Sequence, residues 1–592
     1  MERKYLTFLF TTFYILSFSL YAQTGKSPYP IIFVHGLSSS DSTWLESINY
    51  ISDITGYTNP YNNNGIFHAV LNKSTTTSYT EDVQTKFNNL ANTLNNNDIY
   101  CINFENSYDS SEDNILIHQD QNIENESESN ESSIAKQGYT LKIMIDSVLK
   151  KTNAEKVILF GHSMGGLAIR EYLQKTNDRG EHTWWIDPTD SLFGHKVAKV
   201  VTFGSPHGGS DLSDVPSILS DWLADIDTRS EAVRDLRNSN NGEDDAIYLF
   251  GDNENIDFVT NPYNMDVNCD GDEVDNIKGL NNEDFIENIE YTWITSQWLF
   301  FVDGDGVVKL RRQFIEDVGD TLKTNKLHTD EPKDKHSIIR GLDEPDSKNY
   351  AYLITPSSSY TSFNRTIKGF ITYQMNNVSE DKDYFEIMLP FKGETIFDFS
   401  GENSGITQLS ILNEQEEIVS RTSDFPATIN LILSSGTYYI KIDGEASQHT
   451  WENPYTLTFN YEAKKVLLSI KTFLEGPYNS LSMDANLNNQ NIIPLKQPYN
   501  KAPWNYSGTE KVTDIPQNIV DWVLVELRSG ISASTKIATR AAFIRNDGMI
   551  VDLDGTSDLS VYGVEEGNYY IVVHHRNHLS IMSSEPEFIS EE

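Results

Sequence analysis

Cysteine is almost missing from this chain: Cys101 and Cys269 are the two among 592 residues. That scarcity excludes a small fold stapled by many disulfides and a metal centre built on several thiolates. A Cys101–Cys269 bridge is open to an exported protein, yet Cys101 lies in the apolar run Ile99-Tyr100-Cys101-Ile102, where a buried free thiol fits equally well. Basic residues are scarce too: 45 Lys and Arg face 87 Asp and Glu, a formal charge of −42. Like charges repel at long range, so nucleic acid is excluded as a partner, and most of this charge reads as solubilising surface.

Long apolar runs are confined to the first residues. Arg3 and Lys4 precede an apolar stretch from Leu6 to Tyr21, followed by Ala22 and polar Gln23-Thr24-Gly25-Lys26. This is the pattern of a signal peptide over 1–22, cleaved after a small residue, and it predicts a secreted or cell-surface protein. No cysteine follows at once to take a lipid. No later segment has the length and apolarity to span a bilayer, so no transmembrane span is expected after cleavage.

At this length the chain exceeds a single core, and its texture changes twice. Residues 23–348 alternate short apolar strands with helical stretches, which predicts a mostly parallel sheet covered by helices. The strands are Ile31 to Val34, Ile99 to Phe104, Val157 to Phe160, Val197 to Phe203, Tyr291 to Ile294 and Thr321 to Leu327. A helix from Lys136 to Lys151 follows from Leu141, Ile145, Val148 and Leu149, and a later one from about Pro332 to Leu342. Two insertions interrupt the pattern. One is acidic and Ser/Asn-rich, from Glu105 to Ser133, and reads as surface. The other, 210–288, carries an amphipathic stretch with Leu219, Trp222, Leu223 and Ile226, and is expected to cover the active site as a lid. Residues 349–463 read as an antiparallel β-sandwich and 464–592 as a second β-rich module, with a hairpin turn at Asn546-Asp547-Gly548.

The chemistry concentrates in Gly161-His162-Ser163-Met164-Gly165. A buried strand before and a helix after make this the G-x-S-x-G turn that lifts a nucleophilic serine to the edge of a sheet. A serine hydroxyl needs a base, an orienting acid and donors for the oxyanion. The strand ending in Val34-His35-Gly36-Leu37 offers the Leu37 amide as one donor, and Met164, after the serine, offers the second. His35 itself is read as a turn histidine. The acid is placed at Asp305 in Asp303-Gly304-Asp305-Gly306-Val307-Val308, with Asp303 as rival. The base is placed at His328, with His336 as rival. His162 and His207 are read as structural, the latter because it precedes the acid in a chain that should run Ser, Asp, His.

Asp266, Asn268 and Asp270 occupy positions 1, 3 and 5 of an EF-hand-like loop, with Gly271 at the turn; Ile277 stands where the closing carboxylate belongs, with Asp275 as its substitute. The chemistry requires no cofactor, and Ca2+ is expected at most as a structural ion there. His574, His575 and His578 are read as solvent and packing residues, because strand alternation separates the first two.

Taken with Phe33-Val34-His35-Gly36-Leu37, Thr202-Phe203-Gly204-Ser205-Pro206-His207-Gly208-Gly209 and Asp305-Gly306-Val307-Val308, the serine turn resembles the secreted lipase and esterase branch of the α/β-hydrolases over residues 29 to about 345. The resemblance implies an α/β-hydrolase fold followed by two β-rich domains. It also implies hydrolysis of carboxylic esters, with lipids or small esters as substrate and contact with lipid surfaces. Ala154 to Gln174 is also similar to deacylases of lipid-linked inositol, which keeps phospholipids open. Asp383-Tyr384-Phe385, Ser435-Gly436-Thr437-Tyr438-Tyr439 and Tyr455-Thr456-Leu457 are similar to the bacterial pre-peptidase C-terminal domain, a sandwich without chemistry of its own. Ile544 to Ile550 and His575 to Leu579 resemble a module of large bacterial surface-sorted proteins. The reading from a different class is an adhesive protein whose hydrolase fold is inert.

Overall fold

The computed structural model describes residues 27–69, 94–104, 129–176, 182–185, 194–210, 226, 231–236, 247–250, 278–299, 302–357, 359–372, 380–447 and 450–590. Seven strands form the first sheet: β1 (Ile31–Val34), β2 (Ile66–Ala69), β3 (Ile99–Phe104), β4 (Val157–His162), β5 (Val197–Phe203), β6 (Glu290–Ser296) and β7 (Asp320–Thr324). Their order is β2-β3-β1-β4-β5-β6-β7, and every neighbouring pair is parallel. Strands buried on both faces need apolar residues at every position, and β1, β3, β4 and β5 are buried throughout.

Helices cover both faces. Phe33, Phe160, Val201 and Ile294 point to one side, where α1 (Leu45–Thr55) and a late helix contribute Ile48, Ile51, Ile338, Ile339 and Leu342. Val34, Leu159, Val200 and Trp293 point to the other, against α2 (Ile134–Thr152) and α3 (Met164–Gln174) through Leu141, Ile145, Ala168 and Leu173. Ser133 caps α2 by accepting from the Lys136 amide at 3.2 Å. The short helices α4 (Glu231–Leu236) and α5 (Ile247–Phe250) belong to the second insertion, and the late helix, α6, spans Lys335–Leu342. From β1 the chain goes out to the edge strand β2, comes back to β3 beside β1, and then lays β4 on the opposite flank of β1. The gap between the carboxyl ends of β1 and β4 is therefore the topological switch point, where open α/β sheets place their ligands.

Several boundaries differ from the sequence pattern. The last strand ends at Thr324 instead of Leu327, and α6 begins at Lys335 instead of near Pro332. Between them His328–Lys333 winds as a 3-10 turn through Pro332, with i→i+3 bonds such as Asp334 N–H to Glu331 O at 3.0 Å. The end of the acidic insertion is not surface: Asn130 to Ser133 are buried, because Asn130 donates to Ser39 O and Ser133 caps α2. Cys101 is a buried free thiol. Cys269 lies outside the described residues.

Beyond Tyr350 two sheets face each other. One has the order β13-β12-β15-β10-β8, from Ile418–Thr422, Ile406–Asn413, Gly436–Glu445, Glu380–Leu389 and Tyr352–Leu353. The other is β14-β11-β16-β9, from Ala427–Leu433, Gly393–Ser400, Tyr455–Ala463 and Ser362–Gly369. Phe385, Ile387, Ile440 and Ile442 meet Phe397, Phe399, Leu457 and Phe459 between the sheets. That core is continuous with the α1/α6 side of the first sheet. Arg365 pins the junction: its guanidinium, 4% exposed, donates to Ile354 O at 3.1 Å and to the carbonyls of Ser27 and Pro28. Tyr29 and Tyr57 donate back to Leu353 O and Lys368 O. A third unit centres on the buried strand Ile519–Arg528, where Trp522 packs on Phe543 at 4.2 Å. In it His574 meets Glu526, while His575 meets Asp521 on the opposite face and His578 at 2.8 Å.

The junction also buries carboxyls. Asp343, Glu344, Asp381 and Asp383 are all within the core between the first sheet and the sandwich. Thr372 donates to Asp343, the Phe370 amide to Glu344, and Tyr455 to Asp383. Burial first, then a neighbouring carboxylate (Asp381 for Asp343 and Asp383, Asp346 for Asp381), raises the three aspartates, and burial raises Glu344; Glu344 and Asp381 are pushed up to about 8. Unfolded carboxyls release their protons near pH 4, so above that the folded state binds more protons and loses stability as pH rises toward about 8. Urea midpoints are expected to fall between about pH 5.5 and about pH 9, and Asp381→Asn should shrink that fall. An equal fall in the variant would remove Asp381 from the account.

Candidate active site

Ser163 sits where β4 turns into α3, with φ 53° and ψ −128°, a conformation that costs a non-glycine residue about 1–3 kcal/mol. Close packing imposes it. A Cβ on Gly161 would stand 2.7 Å from the Gly166 backbone, and one on Gly165 would stand 2.6 Å from the carbonyls of Val34 and His35. The Ser163 amide is tied to Phe203 O at 2.9 Å. The exit of β1 lies against the serine itself: a Cβ on Gly36 would be 2.6 Å from Ser163 Cβ and 3.2 Å from its Oγ. Leu37 follows this contact and Met164 opens α3, and both are buried. His35 holds the β1 turn. Its Nε2 accepts from the Phe104 amide at 2.9 Å, so Nδ1 carries the proton and donates to Gly36 O. Burial lowers this imidazole to about 4, which keeps it neutral.

Asp305 is fully buried on the Gly304/Gly306 turn, both glycines having positive φ. Its Oδ1 accepts from the amides of Val307 and Val308 at 2.8 and 2.7 Å, and its Oδ2 lies 2.9 Å from His328 Nδ1. The backbones join as well, His328 N–H donating to Asp305 O at 3.0 Å. This bond orients the imidazole with Nδ1–H toward the carboxylate and Nε2 as the basic nitrogen. The rivals fall elsewhere: Asp303 is exposed, and His336 packs its ring 5.2 Å from Trp451. His162, next to Ser163 in the chain, links it to His328. It donates from Nε2 to His328 O at 2.9 Å, its ring centre 4.6 Å from that of His328, and burial keeps it neutral. His207 is buried against Trp293, with Thr202 Oγ1 at 3.1 Å from its Nε2.

Glu331 is a participant that the sequence pattern did not single out. It lies one turn after His328, fully buried, with Oε2 3.7 Å from His328 Nδ1 and 3.6 Å from His162 Nε2. The i, i+3 spacing of His328 and Glu331 is the signal that places both on one side of a turn. These three side chains bring ligand-type atoms within 4.8 Å of one another, but His162 Nε2 and His328 Nδ1 are already engaged with a carbonyl and with Asp305.

The described parts of the second insertion lie over this edge. Ile226, Ala232, Val233, Leu236, Tyr248 and Leu249 form one cluster with Leu37, Met164 and Leu167. Asp235 accepts from the Ile134 amide at 2.9 Å, and Tyr248 and Trp184 donate to buried Glu171. Arg170, buried beneath Phe285, donates to Asn281 and to Leu280 O, anchoring the segment that returns to β6. Leu219, Trp222 and Leu223 lie outside the described residues, as do Asp266, Asn268 and Asp270 of the calcium-like loop.

A parallel sheet with helices on both faces, a strained serine between strand and helix at its switch point, and a buried Asp–His pair contributed from later in the chain define an α/β-hydrolase. Residues 128–241, which contain the serine turn, match the family described as Lecithin:cholesterol acyltransferase, a lipase-like group. No curated relative matches the chain. Among solved structures it is similar to the lin2722 gene product of Listeria innocua, at 14% identity over 53% of this chain and 91% of that one, with a TM-score of 0.26. A lipase-esterase related protein from Clostridium acetobutylicum is similar at 11% identity, over 53% and 92%, with a TM-score of 0.22. The pre-peptidase C-terminal domain of a Bacillus anthracis collagenase is similar at 13% identity, over 17% and 89%, with a TM-score of 0.13. The fold class rests on the sheet order and the serine turn themselves. No helix among the described residues is long and apolar enough to cross a membrane.

The strain at position 163 has a measurable consequence. Ser163→Gly removes the Cβ that positive φ penalises and is expected to raise stability by about 1 kcal/mol in urea denaturation, while Ser163→Val should lose at least as much. A glycine variant no more stable than wild type would mean that the turn holds no strain.

Proposed function

We propose that this protein is a secreted serine hydrolase of carboxylic esters, with Ser163 as nucleophile, His328 as base and Asp305 as the acid that orients it. The observation that carries the reading is the 2.9 Å bond between His328 Nδ1 and a buried Asp305, set beside the strained serine turn. In this reading His328 Nε2 takes the proton as Ser163 Oγ attacks the ester carbonyl. The oxyanion is received by the amides of Leu37 and Met164, where the N-terminus of α3 adds its dipole. The alcohol departs with the proton from His328, and water, activated by the same nitrogen, releases the acid from the acyl-serine. The insertion cluster over Leu37 and Met164 supplies an apolar cover suited to an acyl chain. The match of residues 128–241 favours phospholipid or other lipid esters over short soluble ones. The pattern of residues 1–22 supports export. Ca2+ at Asp266, Asn268 and Asp270 stays a proposal of a structural ion, with no part in these steps.

A fluorophosphonate probe is expected to label wild-type protein once and to leave Ser163→Ala unlabelled. Against a panel of p-nitrophenyl esters and phospholipids, His328→Ala should lose about three or more orders of magnitude in turnover, while His336→Ala should stay within about threefold of wild type. Folded protein that takes no label would favour a binding protein on an inert hydrolase fold. The reverse ranking of the two histidines would move the base to His336.

A further inference from the structure

We propose that Glu331 is held as a neutral carboxylic acid that positions the Asp305–His328 pair, donating its proton to Asp305 Oδ2. The inference rests on the roles given above to Asp305 and His328 and adds a fourth residue to them. Three observations carry it. First, the two carboxyls converge: a Cβ on Gly204 would lie 2.7 Å from Asp305 Oδ2 and 2.9 Å from Glu331 Cδ, with Glu331 Oε2 nearer still. Second, Glu331 is fully buried, and among the described residues neither of its oxygens meets a donor within hydrogen-bond distance. The nearest N–H groups are committed elsewhere, His328 Nδ1–H to Asp305 and His162 Nε2–H to His328 O. Third, among the described residues no cation pairs with a second negative charge there. The groups that face Glu331 are Asp305 and, on its own turn, Asp334, together with the two imidazoles.

An ionised Glu331 would thus be a buried charge without donors, pressed against another carboxylate, which is among the costliest arrangements a core can hold. As an acid the same side chain offers one O–H, and Asp305 Oδ2 is the acceptor beside it. Burial and the neighbouring Asp305 both push Glu331 well above the ordinary carboxylate range, in agreement with the geometry. Accepting this hydrogen bond fixes the Asp305 carboxylate in the plane that faces His328 Nδ1. It also draws charge from Oδ2 without removing it, so the imidazolium formed during turnover keeps its counter-ion.

Glu331→Gln keeps the shape and a donor toward Asp305, and Glu331→Leu keeps only the bulk. Gln is expected to hold kcat within about threefold of wild type, with the acidic limb of the kcat/KM profile unmoved; Leu should lower kcat about 10-fold or more at little change in KM. If Glu331 were ionised, Gln would strip a negative charge from beside His328, shift the acidic limb to lower pH and cost as much as Leu; that result overturns the proposal. The proton itself is read without turnover. The infrared difference between wild type and Glu331→Gln near neutral pH should show the carbonyl stretch of a protonated carboxylic acid in wild type, and a carboxylate band in its place would overturn the proposal even if no ester is cleaved. Should the Gln variant not fold, the Leu variant carries the same infrared comparison. Loss of activity in wild type with the acid band present would count against the hydrolase reading alone.

Discussion

The close approach of β1 to the β4–α3 turn is the constraint on which the rest of the site depends. Gly36, Gly161 and Gly165 leave no room for a Cβ against Ser163, Gly166 and the carbonyls of Val34 and His35. With the backbones this near, Ser163 is driven to positive φ where β4 turns into α3, and the exit of β1 lies against its side chain. The strand order does the remainder. Because the chain reverses direction of growth between β1 and β4, the turn opens into a crevice and not onto a flank of the sheet.

Asp305 and His328 reach that crevice from later in the chain, and they are held by backbone as much as by side chains. Two amides saturate Asp305 Oδ1, leaving Oδ2 for the imidazole, and the His328 amide returns to Asp305 O. His162, the residue before Ser163, then ties its own ring to the His328 carbonyl. The sandwich that follows is no loosely tethered appendage, since its core runs into the α1/α6 side of the sheet and buried Arg365 joins their backbones. A shared core of this kind makes the sandwich part of what keeps α6, and the turn before it, in place.

Much of this was legible in the residues. Runs such as Ile31–Val34, Ile99–Phe104 and Val197–Phe203 are strands with the bounds their apolar letters suggest, because a parallel sheet buried on both faces tolerates nothing else. The serine turn was legible for the same reason that it is strained: only small residues fit around it. Edge strand β2 escaped, being four residues long with His68 in its middle and one neighbour to satisfy. The end of β7 was overextended, since Leu327 looks apolar while the chain has already left the sheet to deliver His328. Arg365 and Glu331 escaped for a deeper reason. A charged letter in an alternating strand or a polar turn reads as solvent-facing, and only the tertiary fold supplies the carbonyls for one and the carboxylate partner for the other. The shared core was hidden too, because alternation marks a buried face without saying which neighbour buries it.

The account stands on acyl transfer to Ser163, and pre-steady-state kinetics read that event directly. Mixing the full chain with a p-nitrophenyl ester at substrate excess should release a burst of p-nitrophenol of about one equivalent per protein, followed by slower steady turnover. Quenched in acid during the steady phase, the protein should carry the acyl mass on the peptide that contains Ser163. Release of p-nitrophenol without a burst and without acyl mass on that peptide, in protein whose fold is intact, would contradict the account.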